Sequence, residues 1–355
     1  MEIFPCTLVF VEVDAAGSPN STSKDPLSYA RQAVCLNKTL LHAGMPRLNI
    51  FTNTPDLVLS CFNHVPVERQ PIVHEIITTF DVPRNIEFHG AHYKLDLMEQ
   101  VAEIIPPDTL LLLLDTDIVA IRPLNDELLC RCAATGVGAF DISDQVFPAY
   151  GSSRVIADLE IVAHQPLANP RWYGGECLVA TPAFLRRLVP RARKHCARYL
   201  SEVSRLAHHG DEAFVSAALN TLADEGQQIV EIGAYQAVGR HWAGNTHRDL
   251  RWYQHCCFVH LPDGKALIER EAQFDDFNPA RFWRNVTTAH VLGRLRFGLK
   301  SRFGVLSLAP KLFDRVRVRK PKVALSPSAC APSDNPLEPA RTPQNTEQNR
   351  NQPVA

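Results

Sequence analysis

Apolar positions along this chain fall into short runs and helical stripes that alternate. Residues 7–13 (TLVFVEV) form a β-rich run that predicts a first buried strand. The polar stretch DAAGSPNSTSKDP follows as a loop. Over 27–44 apolar residues recur at helical spacing and stop at Gly44, a glycine suited to ending a helix. LNIFTN predicts a second strand, HYKLDLMEQVAEII a helix ended by Pro106 and Pro107, and TLLLLLD a further strand. This alternation implies an α/β fold with a mainly parallel sheet flanked by helices. In such sheets ligands bind at the carboxyl ends of the strands.

The second half is more mixed. GVGAFDI, GGECLVATP, QQIVEIGAY and CCFVHL predict strands. TPAFLRRLVPRARKHCARYLSEVSRLA predicts two helices interrupted at Pro190, and GDEAFVSAALNTLAD another helix. No internal repeat is visible. We divide the chain into one α/β domain over 1–270, a basic amphipathic segment over 271–322 and a tail over 323–355. The tail is rich in Pro, Asn and Gln, cannot bury enough to offset its ordering entropy, and is expected to be disordered.

Composition narrows the function classes. The 355 residues are 45% hydrophobic, enough to build one large core without covalent staples. A formal net charge of −1 removes any whole-molecule attraction to nucleic acid, and no nucleic-acid partner is expected. The ten cysteines are scattered, as suits small buried hydrophobes in a reducing cytoplasm. Neither CRC (130–132) nor HCC (255–257) has the paired spacing of a zinc site. The start, MEIFPCTLVFVEVD, lacks a basic region and a small-residue cleavage site, so a cytoplasmic location is expected. The sequons at Asn20, Asn37 and Asn285 carry no weight without a secretion signal.

The chemistry is concentrated in LLLLDTDIVAIRPL, residues 111–124. Leu111 to Leu114 show no alternation, which fits a strand buried on both faces. Asp115 and Asp117 fall where that strand leaves the sheet, on one side of an extended chain. Two converging carboxylates repel unless a cation sits between them. Mg²⁺ or Mn²⁺ fits, taking carboxylate oxygens on one side and phosphate oxygens on the other. The plainer alternative is one capping aspartate and one solvated one.

Here the sequence resembles the GT-A nucleotide-sugar glycosyltransferases, a Rossmann-like fold. Over residues 7–267 it is most similar to the retaining glycosyltransferase family 8, the group of glycogenin and the lipopolysaccharide galactosyltransferases. The resemblance implies that Asp115, Thr116 and Asp117 bind the metal and the donor diphosphate, with Lys94 in HYKLDL contacting the donor. WYGGECLVATPAFL, with Gly174, Gly175 and Glu176, stands where the family has a strand near the acceptor. HHGDEAFVSAAL supplies Gly210, Asp211 and Glu212 for an acidic motif that opens a helix. FVHLPDGKAL supplies His260 as metal ligand, with Gly264 and Lys265 on the phosphates, at a spacing different from the family's.

The catalytic candidates are Asp211, Glu212 and Glu176. Asp211 would stabilise positive charge on the sugar or orient the acceptor. Glu176, costly to bury alone, would contact acceptor hydroxyls or a nearby arginine. Plainer readings stay open: helix-end carboxylates for Asp211 and Glu212, a core histidine for His260, a solvated charge for Lys94. The nucleotide base is expected at the first two strand ends, near Val11, Glu12, Val13, Thr52 and Asn53, with Tyr29 as a stacking partner.

The expected activity is transfer of a hexose, from a UDP-sugar, to a cell-envelope glycan or lipid-linked acceptor. A sugar nucleotidyltransferase and a non-catalytic nucleotide-sugar binder are the alternatives. The first usually carries a Gly-rich basic loop after strand one, which DAAGSPNSTSKDP lacks. Residues 294–322 interleave Arg and Lys with Phe, Leu and Val around a single acid, Asp314. That pattern suits an anionic membrane surface, peripheral on its inner face.

Overall fold

The computed structural model describes residues 1–12, 25–244 and 247–303, with side chains to Arg296. Val13, the tail over 323–355 and the basic segment beyond Phe303 lie outside the described residues. The described strands are β1 (Ile3–Val9), β2 (Asn49–Thr52), β3 (Ile72–Glu75), β4 (Leu110–Leu114), β5 (Ile118–Ala120), β6 (Val137–Asp141), β7 (Tyr173–Ala180), β8 (Val230–Glu231), β9 (Val238–Arg240) and β10 (Phe258–His260). Seven of them make the main sheet, in the order β3-β2-β1-β4-β7-β6-β8. Only β7 runs antiparallel to its neighbours, β4 and β6, so the sheet is mainly parallel as expected. The other three make a small sheet, β5-β10-β9.

β4 is buried at all five leucines, which is why it shows no polar alternation. Chain order turns back between β1 and β4, and a switch of that kind leaves a crevice at the strand ends. Asp115 follows β4 immediately, at that position. The helix Ser28–His42 ends before Gly44, whose φ of +74° suits glycine.

Three expectations change. β1 starts at Ile3 rather than at 7, although Pro5 argues against a strand. The Pro5 carbonyl accepts the Asn49 side-chain amide at 3.1 Å. Beyond Val9 the chain leaves the sheet, because the Asn53 side chain takes both the N–H and the carbonyl of Val11 (2.8 and 3.0 Å). The two helices expected around Pro190 are one, Pro182–Glu202. Pro190 lies on its exposed face, while Leu185, Leu188, Val189, Ala192 and Tyr199 are buried on both sides of it. Burial of that stripe outweighs one lost hydrogen bond. QQIVEIGAY yields only the two-residue β8 before turning at Gly233–Tyr235. The helix Pro279–Phe303 begins inside the body of the fold, with Phe282 and Val286 fully buried.

Burial also fixes a pH response. His92, His195 and His241 are pushed down to about 4 by burial. Unfolded, each returns to about 6.5. Between those values the unfolded chain binds more protons, so stability falls as pH drops from about 6.5 towards 4. The slope is about 1.4 kcal/mol per pH unit for each histidine. Asp211, raised to about 6 chiefly by burial, works the other way, as do Glu231 and Asp263, while His74 and His290, lowered by burial, add to the three. Urea unfolding should show a lower midpoint at pH 5 than at pH 7. An unchanged midpoint would contradict the buried neutral histidines.

Candidate functional site

Asp115 and Asp117 sit on the short link between the two sheets, after β4 and before β5. β5 pairs with β10 so that Ile118 stands opposite His260, and the Leu261 N–H donates to the Asp117 carbonyl at 3.0 Å. This register brings His260 Nε2 to 3.1 Å from Asp117 Oδ1. β7 supplies the other anchor: the Asp115 N–H donates to the Glu176 carbonyl at 3.0 Å. Asp115, Asp117 and His260 each offer a donor atom, all within 4.8 Å of one another.

Two lysines flank the cluster. Lys94, first residue of the helix Lys94–Ile104, reaches Asp115 Oδ1 (2.7 Å), Asp211 Oδ2 (2.9 Å) and the Gly175 carbonyl (2.9 Å). Lys265 opens the helix Lys265–Glu271, contacts Asp117 Oδ2 at 2.5 Å and lies 5.1 Å from the centre of the Tyr29 ring. Gly264 makes the turn before it, where a Cβ would meet Leu261 Cβ at 2.8 Å. Thr116 points the other way and donates to Gln32 Oε1 at 3.2 Å, inside the protein.

The charges are strongly coupled. Burial opposes ionisation of Asp117, but His260 and Lys265 outweigh it and hold the carboxyl well below the usual range. Burial would lower His260; Asp117 and Glu176 prevail and raise it to about 9. Lys94 is likewise held charged against burial by Asp115 and Asp211. For Asp211 burial wins, helped by Asp115 and opposed by Lys94.

The donor set suits a metal. Two carboxylates and one imidazole form a mixed oxygen and nitrogen set that fits Mn²⁺ better than Ca²⁺ or Mg²⁺, which take oxygens. The cluster also opens to solvent: the Asp115 side chain is 29% exposed, against 6% for Asp117 and 7% for His260. Asp115, Asp117 and His260 would hold the ion.

Glu176 meets its arginine rather than open space. It is fully buried, and Arg240 of β9 grips it through Nε–Oε1 (2.7 Å) and Nη2–Oε2 (2.6 Å). Arg240 also binds Glu212, which accepts the Trp172 indole N–H at 2.9 Å. Asp211 and Glu212 begin the helix Asp211–Asp224, as expected, yet both are tied into this network. The two preceding glycines are required by proximity. A Cβ on Gly174 would collide with the Glu176 carboxylate, and one on Gly175 would meet Asp211 Oδ2 at 2.9 Å. Arg240 has no motif around it, and the only hint was that a buried glutamate needs a partner.

At the neighbouring strand ends the described base-binding candidates already have partners within the protein. Val11 is paired to Asn53, Thr52 accepts the Thr54 N–H at 3.2 Å, and Glu12 binds His89.

No family model matches the chain, and no curated protein does. Among solved structures, the chain is similar to the galactosyltransferase LgtC, crystallised with donor and acceptor sugar analogs. The identity is 10% and the TM-score 0.46, covering 81% of this chain and 100% of that one. So loose a likeness leaves the functional reading to the side chains.

Proposed function

We propose that this chain is a metal-dependent retaining glycosyltransferase that moves a hexose from a nucleotide sugar, a UDP-sugar, to a glycan or lipid-linked acceptor. The observation that carries this reading is the cluster of Asp115, Asp117 and His260 between Lys94 and Lys265, at the switch point of the sheet. When bound, the divalent ion would neutralise the diphosphate as the glycosidic bond breaks. Lys265, desolvated and aimed into the cluster, adds fixed positive charge on the leaving group. Lys94 ties Asp115 to Asp211 and so fixes Asp211 relative to the residues that would hold the ion. Asp211 would orient the acceptor or stabilise positive charge on the ring.

Incubation with UDP-hexoses and Mn²⁺ tests this reading. Slow release of UDP, abolished by EDTA and weaker with Mg²⁺, is the expected result. Consumption of UTP with a sugar phosphate instead, or no turnover with any UDP-, GDP- or CDP-sugar, overturns it.

The acceptor end extends the proposal to a membrane surface. Val291, Leu292 and Leu295 are exposed on the helix Pro279–Phe303, beside exposed Arg294 and Arg296. Apolar residues among cations suit an interface with anionic lipid. No described helix is long and apolar enough to cross a membrane. The full chain should sediment with anionic vesicles in low salt and less in high salt. Equal sedimentation of a chain ending after Gly293 removes the segment from membrane binding.

A further inference from the structure

The metal reading leaves the buried pair of Glu176 and Arg240 without a task. Such a pair is poor support for stability, because apolar residues of similar volume often serve as well or better. Its surroundings suggest another use. Glu176 Oε1 lies 3.2 Å from His260 Nδ1, while His260 Nε2 faces Asp117. The Glu176 backbone carbonyl accepts the Asp115 N–H. One residue of β7 therefore touches two of the three metal donors, by main chain and by side chain. Arg240 holds both carboxylate oxygens, which fixes the plane of the group. The Glu176 carboxylate fills the space beside Gly174, where no Cβ fits.

Resting on the metal reading above, we infer that Glu176 is a positioning residue for the metal centre. Its carboxylate keeps the His260 proton on Nδ1, so that Nε2 is the nitrogen offered to the ion, and Arg240 keeps the carboxylate in place. Histidine ligands commonly donate their second N–H in this way, and loss of the partner costs about 10- to 100-fold in metal affinity. No sequence motif announces the arrangement. It depends on the antiparallel insertion of β7 beside β4, which brings Glu176 under both donors.

Mn²⁺ alone is the probe, titrated against the full-length protein and followed by the electron paramagnetic resonance signal of the free ion. Three proteins are compared: wild type, Glu176→Gln, and the double variant Glu176→Met with Arg240→Met. The double variant keeps volume and removes both fully paired charges, and Glu212, partly exposed, keeps the Trp172 and Gly175 N–H groups, so the unfolding midpoint should stay near that of wild type. Its Mn²⁺ affinity should fall about 10- to 100-fold. Glutamine retains an oxygen for the Nδ1 proton and should recover most of the loss. Equal affinity in the folded double variant overturns the inference and leaves the metal reading intact. Failure of wild type to bind Mn²⁺ is a different result, and it overturns both. Should the double variant not fold, nitrogen NMR of wild type loaded with Cd²⁺ decides. The signal missing in His260→Gln should show the ion on Nε2 and a proton on Nδ1, and an ion on Nδ1 refutes the inference.

Discussion

Asp117→Ala should abolish metal-dependent UDP release. The substitution removes one of three donor groups and leaves Lys265 and His260, two cationic groups, without the buried carboxylate between them. Both the ion and the lysine lose their anchor. A metal acting as Lewis acid supplies several kcal/mol to such a step, and that corresponds to a loss on the order of 10³-fold. Asp117→Asn keeps the shape but not the charge, and should lose nearly as much. The check is UDP release at saturating donor and Mn²⁺, with circular dichroism confirming the fold. Turnover within tenfold of wild type would remove Asp117 from the mechanism.

Arg240→Ala should be the most destabilising single change near the site. It strands Glu176, which has no solvent exposure, and frees Glu212 from its ion pair. Breaking a buried pair from one side costs about 3–5 kcal/mol, because the remaining charge has neither water nor partner. In a chain of this size that lowers the melting temperature by roughly 4–7 °C. Arg240→Lys keeps the charge but cannot make the two-pronged contact, and should fall in between. Calorimetry on the three proteins measures the effect. A melting point for Arg240→Ala within about 2 °C of wild type would mean that Glu176 finds another partner.

The parts of the fold that the sequence disclosed are those set by local pattern. The leucine run of β4, the stripe of the helix Ser28–His42 and its stop before Gly44 each carry their own signal. Asp115, Asp117, His260 and Lys265 were each named from the sequence, and the fold brings them together. What was hidden depends on pairing between distant residues. Nothing local tells β7 to run against β4, since a buried strand reads the same in either direction. Arg240 is 64 positions from Glu176 and joins it only when the two sheets meet. The same distance effect explains Val11 and Asn53, which appeared as two free strand ends and are in fact bonded to each other. Pro190 misled because burial of the apolar stripe on both sides of it keeps one helix continuous through the proline.

The most direct measurement is a crystal of the full chain grown with Mn²⁺ and UDP, with diffraction recorded at the manganese absorption edge. One anomalous peak bonded to Asp115, Asp117 and His260 and to the diphosphate oxygens is expected, with Lys265 on the same phosphates. UDP bound with no manganese at that point, or manganese elsewhere while Lys94 and Lys265 still saturate the two aspartates, would contradict the metal reading.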